Sequence, residues 1–156
     1  MKKLVCMVII SMIVSLFITG CSGKKKPSVS YELESKSGEK ISVGVDAGDK
    51  YTVTNPTDST FVVMDKDNNI LAKVHMVSKA VYDSYKTAAA SLPSFTLLKK
   101  NGMEGFSYAS PNSNNGDDYV YARCYAVSDK TSMYMESSVS DDVLGDIFDR
   151  LTVKHK

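Results

Sequence analysis

Few side chains in this sequence have a wide chemical range. Cysteines stand at positions 6, 21 and 124, and histidines at 75 and 155. A thiol can carry an acyl group, pair in a disulfide, bind a metal or attack a substrate, and attack requires a base beside it. Neither His75 nor His155 sits in a recognisable cysteine-hydrolase context. His75 alternates with Lys73 and Leu71, and neither a histidine nor a carboxylate stands at ligand spacing from it, so it reads as a solvated histidine. Asp65-Lys66-Asp67-Asn68-Asn69 begins like a calcium loop. Its sixth position is Ile70 rather than Gly and its twelfth is Met76 rather than Glu, so it reads as a hairpin turn. Asn112-Ser113-Asn114-Asn115-Gly116-Asp117-Asp118 is rich in oxygen donors. It reads as a solvated polar loop, with a weak cation site as the alternative. Gly-rich phosphate loops, GxSxG elbows and HExxH motifs do not occur in the sequence. The expectation is no catalytic residue, no metal and no cofactor.

Cys21 is the cysteine with a specific context. Lys2 and Lys3 precede an almost unbroken apolar run from Leu4 to Phe17, and Ile18-Thr19-Gly20 then leads directly into Cys21. A positive start, a short apolar run and a small-residue cleavage end form the grammar of a secretory signal. The run is shorter than the roughly 20 residues that cross a bilayer as a helix. Together these residues resemble a bacterial lipoprotein signal peptide whose lipobox ends at Cys21, with Ile18 where Leu is commoner. The resemblance implies that Cys21 receives a diacylglycerol on sulfur, is further acylated with a fatty acid such as palmitate, and becomes the first residue after cleavage. Two acyl chains hold a protein at a membrane far better than one, since each buried methylene contributes about 0.8 kcal/mol. Lys24-Lys25-Lys26 follows, placed to sit over anionic head groups or to serve as a solvated spacer. Residues 1–20 are thus expected to be the signal, 21–30 the lipidated cysteine and tether, and 31–156 a single domain.

Composition agrees with one soluble domain outside the cytoplasm. The chain has 19 Lys and Arg against 18 Asp and Glu; losing Lys2 and Lys3 leaves 17 basic side chains, and no basic field for nucleic acid. With Cys6 removed and Cys21 acylated, Cys124 has no partner for an internal disulfide, so the core must hold the fold. Cys124 lies on an alternating stretch with Val120, Ala122 and Ala126, where a small buried residue is expected.

The elements needed to position these residues are mostly strands. Period-two stretches cover Tyr31–Ser35, Ile41–Val45, Tyr51–Thr54, Phe61–Met64 and Ile70–Met76. The period then lengthens: Val77, Val81, Tyr85 and Ala88 fall on one helical face, Ser78 can cap it and Pro93 stops it. Strand patterns return at Phe95–Leu98, Met103–Ala109, Tyr119–Ser128 and Ser132–Val139. A closing helix starts at Ser140, with Val143, Leu144, Ile147, Phe148 and Leu151 as its buried stripe. Arg150, Lys154 and Lys156 suit its C-terminal end. The expected fold class is α+β: an antiparallel β-sheet with two main helices packed on it, in a single small domain.

This order, and above all Met133-Tyr134-Met135-Glu136-Ser137-Ser138 running into Ser140–Val153, resembles the PsbP-like α/β/α sandwich over about residues 51–154. A cystatin-like or NTF-two-like curved sheet gives a similar string. The resemblance carries no functional residue. Tyr119, Tyr121, Arg123 and Tyr125 alternate onto one strand face, of residue types that dominate interfaces; they form either a partner surface or a core face under the first helix.

The expected function is a lipid-anchored extracytoplasmic lipoprotein at the cell membrane, a non-enzymatic binding or accessory module. Its partners are the membrane through its anchor and an unidentified protein or small molecule, with no nucleic acid, and the protein is a monomer. The alternative is an anchored hydrolase or thiol-dependent helper enzyme using Cys124.

Overall fold

Among the described residues, alternating apolar positions give ten strands, and the two helices between them are short. The computed structural model describes residues 28–112 and 115–155. The strands are β1 (Ser28–Glu34), β2 (Lys40–Asp46), β3 (Thr52–Thr57), β4 (Thr60–Met64), β5 (Ile70–Ser78), β6 (Thr96–Lys100), β7 (Met103–Asn112), β8 (Asn115–Ala126), β9 (Thr131–Ser137) and β10 (Leu151–His155). The helices are α1 (Lys79–Ala89) and α2 (Asp141–Asp149), of 11 and 9 residues. The lipobox residues Ile18, Thr19, Gly20 and Cys21, and Cys6, lie outside the described residues. Strand β1 begins at Ser28, three residues inside the stretch read as tether.

The strands form two sheets. Three make a small antiparallel sheet in the order β1-β2-β10, and seven make a large antiparallel sheet in the order β3-β4-β5-β9-β8-β7-β6. The small sheet alternates cleanly: Leu33, Ile41, Val43 and Val45 point inward and are fully buried. They pack with Leu144, Ile147 and Phe148 of α2 against Phe61, Val63, Val74, Met76, Met133 and Met135 of the large sheet. The other face of the large sheet carries α1, whose Tyr82 and Ala89 cover Phe106 and Cys124.

The α+β expectation of one antiparallel sheet with two main helices is therefore corrected: this is a β-rich fold of two sheets with two short helices. The closing helix stops at Arg150, and its expected last turn is β10, hydrogen-bonded to β2. Leu151 satisfies both periods, which is why the pattern misleads: it follows Ile147 at helical spacing and precedes Val153 at strand spacing. The β-branched pair Thr152-Val153 favours the strand. The first helix also turns a different face inward. Tyr82 and Ala89 are buried, while Tyr85 and Ala88 are exposed and Val77 belongs to β5. Of the polar stretch read as a loop, residues 110–112 belong to β7, which runs to Asn112, and residues 115–118 to β8, which starts at Asn115.

Local capping follows the sequence closely. Ser78 accepts a hydrogen bond from the Val81 N–H, and Ser140 accepts one from the Val143 N–H at 3.2 Å. Asp65 accepts from the N–H groups of Asp67 and Asn69, closing the β4–β5 hairpin, with Asn68 at φ +65°.

One polar clasp holds α2 to the segment before β3. Asp146 accepts from the Lys50 ammonium at 2.7 Å and from the Tyr51 hydroxyl. These two bonds hold its carboxyl well below the ordinary 3.8, at about 2. A carboxyl whose folded pKa is depressed stabilises the fold above its unfolded pKa, and that contribution is lost as pH falls through the folded value. Stability should therefore decline between about pH 4 and pH 2. Asp146→Asn should be modestly less stable at neutral pH and should flatten that limb, because the exposed pair is screened by solvent. Urea titrations at several pH values check this; an unchanged acid limb in the variant would remove the clasp from the account.

Candidate functional site

The tyrosine-rich face of β8 is distributed along the depth of the protein. Tyr125 is buried, its ring stacked on Phe148 with centroids 3.9 Å apart. Arg123 makes a two-pronged pair with Asp141, Nε to Oδ1 at 2.7 Å and Nη2 to Oδ2 at 2.6 Å. Gly145 lies directly over it: a Cβ there would stand 3.0 Å from Nη1 of Arg123. Tyr121 is half-buried against the main core, and Tyr119 is exposed. The helix over this face is α2, not the first helix as the sequence suggested. Cys124 and Ala122 point the other way, toward α1.

Cys124 is buried, and burial pushes its thiol up to about 12. It is therefore a neutral core side chain at any physiological pH, without the thiolate a nucleophile needs. A thiol-specific reagent should leave Cys124 of the folded domain unmodified for hours and react at once in denaturant. Rapid modification of the native domain would place the thiol at the surface. Among the described residues, no three His, Cys, Asp or Glu side chains converge as a metal-binding group.

Two features converge elsewhere, where β9 ends. On the outer face, Glu136 of β9 sits between Lys73 and His75 of β5. Its Oε1 is 3.9 Å from both Lys73 Nζ and His75 Nε2, and Oε2 accepts from the Tyr134 hydroxyl at 3.3 Å. The nearby His75, reinforced by Lys73 and Tyr134, holds the Glu136 carboxyl below its ordinary value despite partial burial. His75 Nδ1 lies 2.9 Å from Thr60 Oγ1, which fixes the ring. Tyr85 of α1 leans on Tyr134 with centroids 5.0 Å apart.

Next to this group the sheet opens. The pairing of β9 with β5 ends at Lys73↔Glu136, and with β8 at Tyr121↔Ser137. Beyond that point β9 leaves for α2, while β5 continues to Ile70 and β8 is paired with β7 through Tyr119↔Pro111. The result is a notch of about 290 Å³ lined by Ile70, Leu71, Ala72, Lys73, Val120 and Glu136, with Ser137 and Ser138 at its end. Its β5 wall is bulged: Ala72 and Ile70 oppose the consecutive β4 residues Val63 and Met64, so Leu71 is extra. Ile70 lines the notch, and Tyr119 and Val139 adjoin the lining residues Val120 and Ser138; these three are 52%, 49% and 51% exposed.

Sequence reasoning named Tyr119 but not Ile70, Lys73, Glu136 or Val139 as a group. The sequence carried no signal for the gap: the pattern Ser132–Val139 reads as long as its neighbour Ile70–Met76, whereas β9 stops at Ser137. No family model, curated protein or solved structure matches this chain.

Proposed function

We infer that this chain is a lipid-anchored, extracytoplasmic binding module that holds its notch at a membrane surface and performs no chemistry of its own. The observation that carries the reading is the run Ile18-Thr19-Gly20-Cys21 behind Lys2-Lys3 and the apolar stretch Leu4–Phe17. Residues 22–27 separate Cys21 from the first residue of β1, a span of at most about 25 Å when extended. An acylated Cys21 therefore keeps the domain close to the bilayer.

The placement of the notch supports the reading. The chain enters the domain at Ser28, paired with Asp46, whose N–H donates to the carbonyl of Arg150 just past the C-terminal end of α2. The notch lies at the other end of that helix, beside Ser138. Nine helical residues span about 14 Å, so the first residue of β1 and the notch lie toward opposite ends of the same element. The buried thiol of Cys124 argues against the thiol-dependent alternative.

Cys21→Ala should abolish acylation, because only the thiol accepts the diacylglycerol. Labelling cells with radioactive palmitate, followed by isolation of the protein, should give label in the wild type and none in the variant. Equal label in both would overturn the anchor.

A further inference from the structure

We propose that the lane vacated by β9 accepts an extended segment of a partner polypeptide, apolar and uncharged at its centre, which inserts as a short strand between β5 and β8. This rests on the reading of the chain as a binding module and names what it binds.

The lane continues two pairings that already exist. Strand β9 lies between β5 and β8, antiparallel to both, up to Glu136 and Ser137. Hydrogen-bonded strands lie about 4.8 Å apart, so two strands flanking a missing third are separated by about 10 Å, the width of one extended chain. Past the last pairs, Ile70–Ala72 of β5 and Tyr119–Val120 of β8 have no strand partner on the lane side among the described residues. Such free edges are templates for an added strand, and the backbone ladder supplies most of the affinity in this mode of recognition.

The walls define the chemistry of the occupant. Among the described residues that line the lane, the charged ones are Lys73 and Glu136, 3.9 Å apart, a pair of opposite sign that favours a segment without net charge. Ile70, Leu71, Ala72 and Val120 line it, and the exposed Val139 directly follows the lining residue Ser138 in the chain. An anionic polymer or a phosphate head group would meet a single lining cation, Lys73, with the Glu136 carboxylate beside it. The bulge at Leu71 bends β5 at this point, as bulges do where a ladder is interrupted or a side chain is re-aimed.

The test uses the full-length protein in detergent and a displayed library of random heptapeptides. Selected peptides, resynthesised, should be apolar and uncharged at the centre. At saturation they should slow amide exchange at residues 70–72 and 119–120 by about tenfold or more. Ile70→Asp and Val139→Asp alter exposed positions, so they should leave the melting temperature unchanged and weaken binding about tenfold or more. Selected peptides that leave those amides unprotected, that bind both variants as well as wild type, or that are strongly charged would overturn the proposal. A library that yields no binder would also overturn it. Failure here leaves palmitate labelling of Cys21 untouched, and failure of that labelling leaves peptide protection of the lane untouched, so the two readings fail separately.

Discussion

Phe148→Ala is expected to cost about 3–5 kcal/mol of stability, the ordinary range for truncating a fully buried phenylalanine. Phe148 is 1% exposed and lies flat on Tyr125, with ring planes 14° apart. It is also the point where α2 meets the large sheet, with Leu144 and Ile147 beside it in the same core. The surrounding residues come from both sheets, so the void cannot close by moving one side chain. Domains of this size are typically stable by about 5–15 kcal/mol, so the variant should lose a large part of its folded population on mild heating. Urea denaturation followed by circular dichroism measures the difference. A loss below about 1 kcal/mol would make α2 peripheral and turn its apolar stripe into a surface.

Gly105→Ala should be nearly as damaging, by about 3 kcal/mol, through crowding rather than loss of contact. Gly105 pairs with Tyr125 across β7 and β8, and the Tyr125 ring lies between Gly105 and Phe148. A Cβ at position 105 would stand 2.3 Å from the carbonyl oxygen of Cys124 and 2.7 Å from Cδ1 of Tyr125. The nearest obstacle is backbone, so relief requires the β7–β8 ladder to part, and the ring displaced with it presses on Phe148. The same denaturation experiment applies. A variant within about 0.5 kcal/mol of wild type would show that the strands accommodate the methyl group and that the sandwiched ring is not tightly held.

The residues of this layer show what was readable in the sequence. The stripe Leu144, Ile147 and Phe148 was visible because helical spacing and the Ser140 cap both marked it, and all three are buried. The alternation of β2, β5 and β9 was visible for the same kind of reason. Which helix covers Tyr125 was not, because strand periodicity separates two faces without saying which element each face meets. Gly105 carries no sequence signal: its requirement comes from a ring on a neighbouring strand. Leu151 was misassigned because its position fits both a helical and a strand period, and pairing with β2 decides between them. The small sheet escaped notice because its strands are distant in sequence, β10 closing onto β2 across more than a hundred residues.

The candidate site divides in the same way. Tyr119, Arg123 and Tyr125 were prominent by type, yet Arg123 is engaged by Asp141 and Tyr125 lies under α2. Ile70, Lys73 and Glu136 were unremarkable by type; strand register sets Lys73 against Glu136, and Ile70 joins them in one notch because β9 ends before its neighbours. A gap in a sheet is a property of three strands at once, and no single stretch of sequence contains it.

The central claim is that the working form of this protein is an acylated chain beginning at Cys21 with the domain tethered behind it. Intact-mass analysis of the protein purified from membranes tests this directly. The predicted result is a chain lacking residues 1–20 and carrying the added mass of a diacylglycerol, with at least one further fatty acid, on its first residue. A chain that still begins at Met1, or one that begins at residue 21 or beyond with no lipid mass, would contradict it.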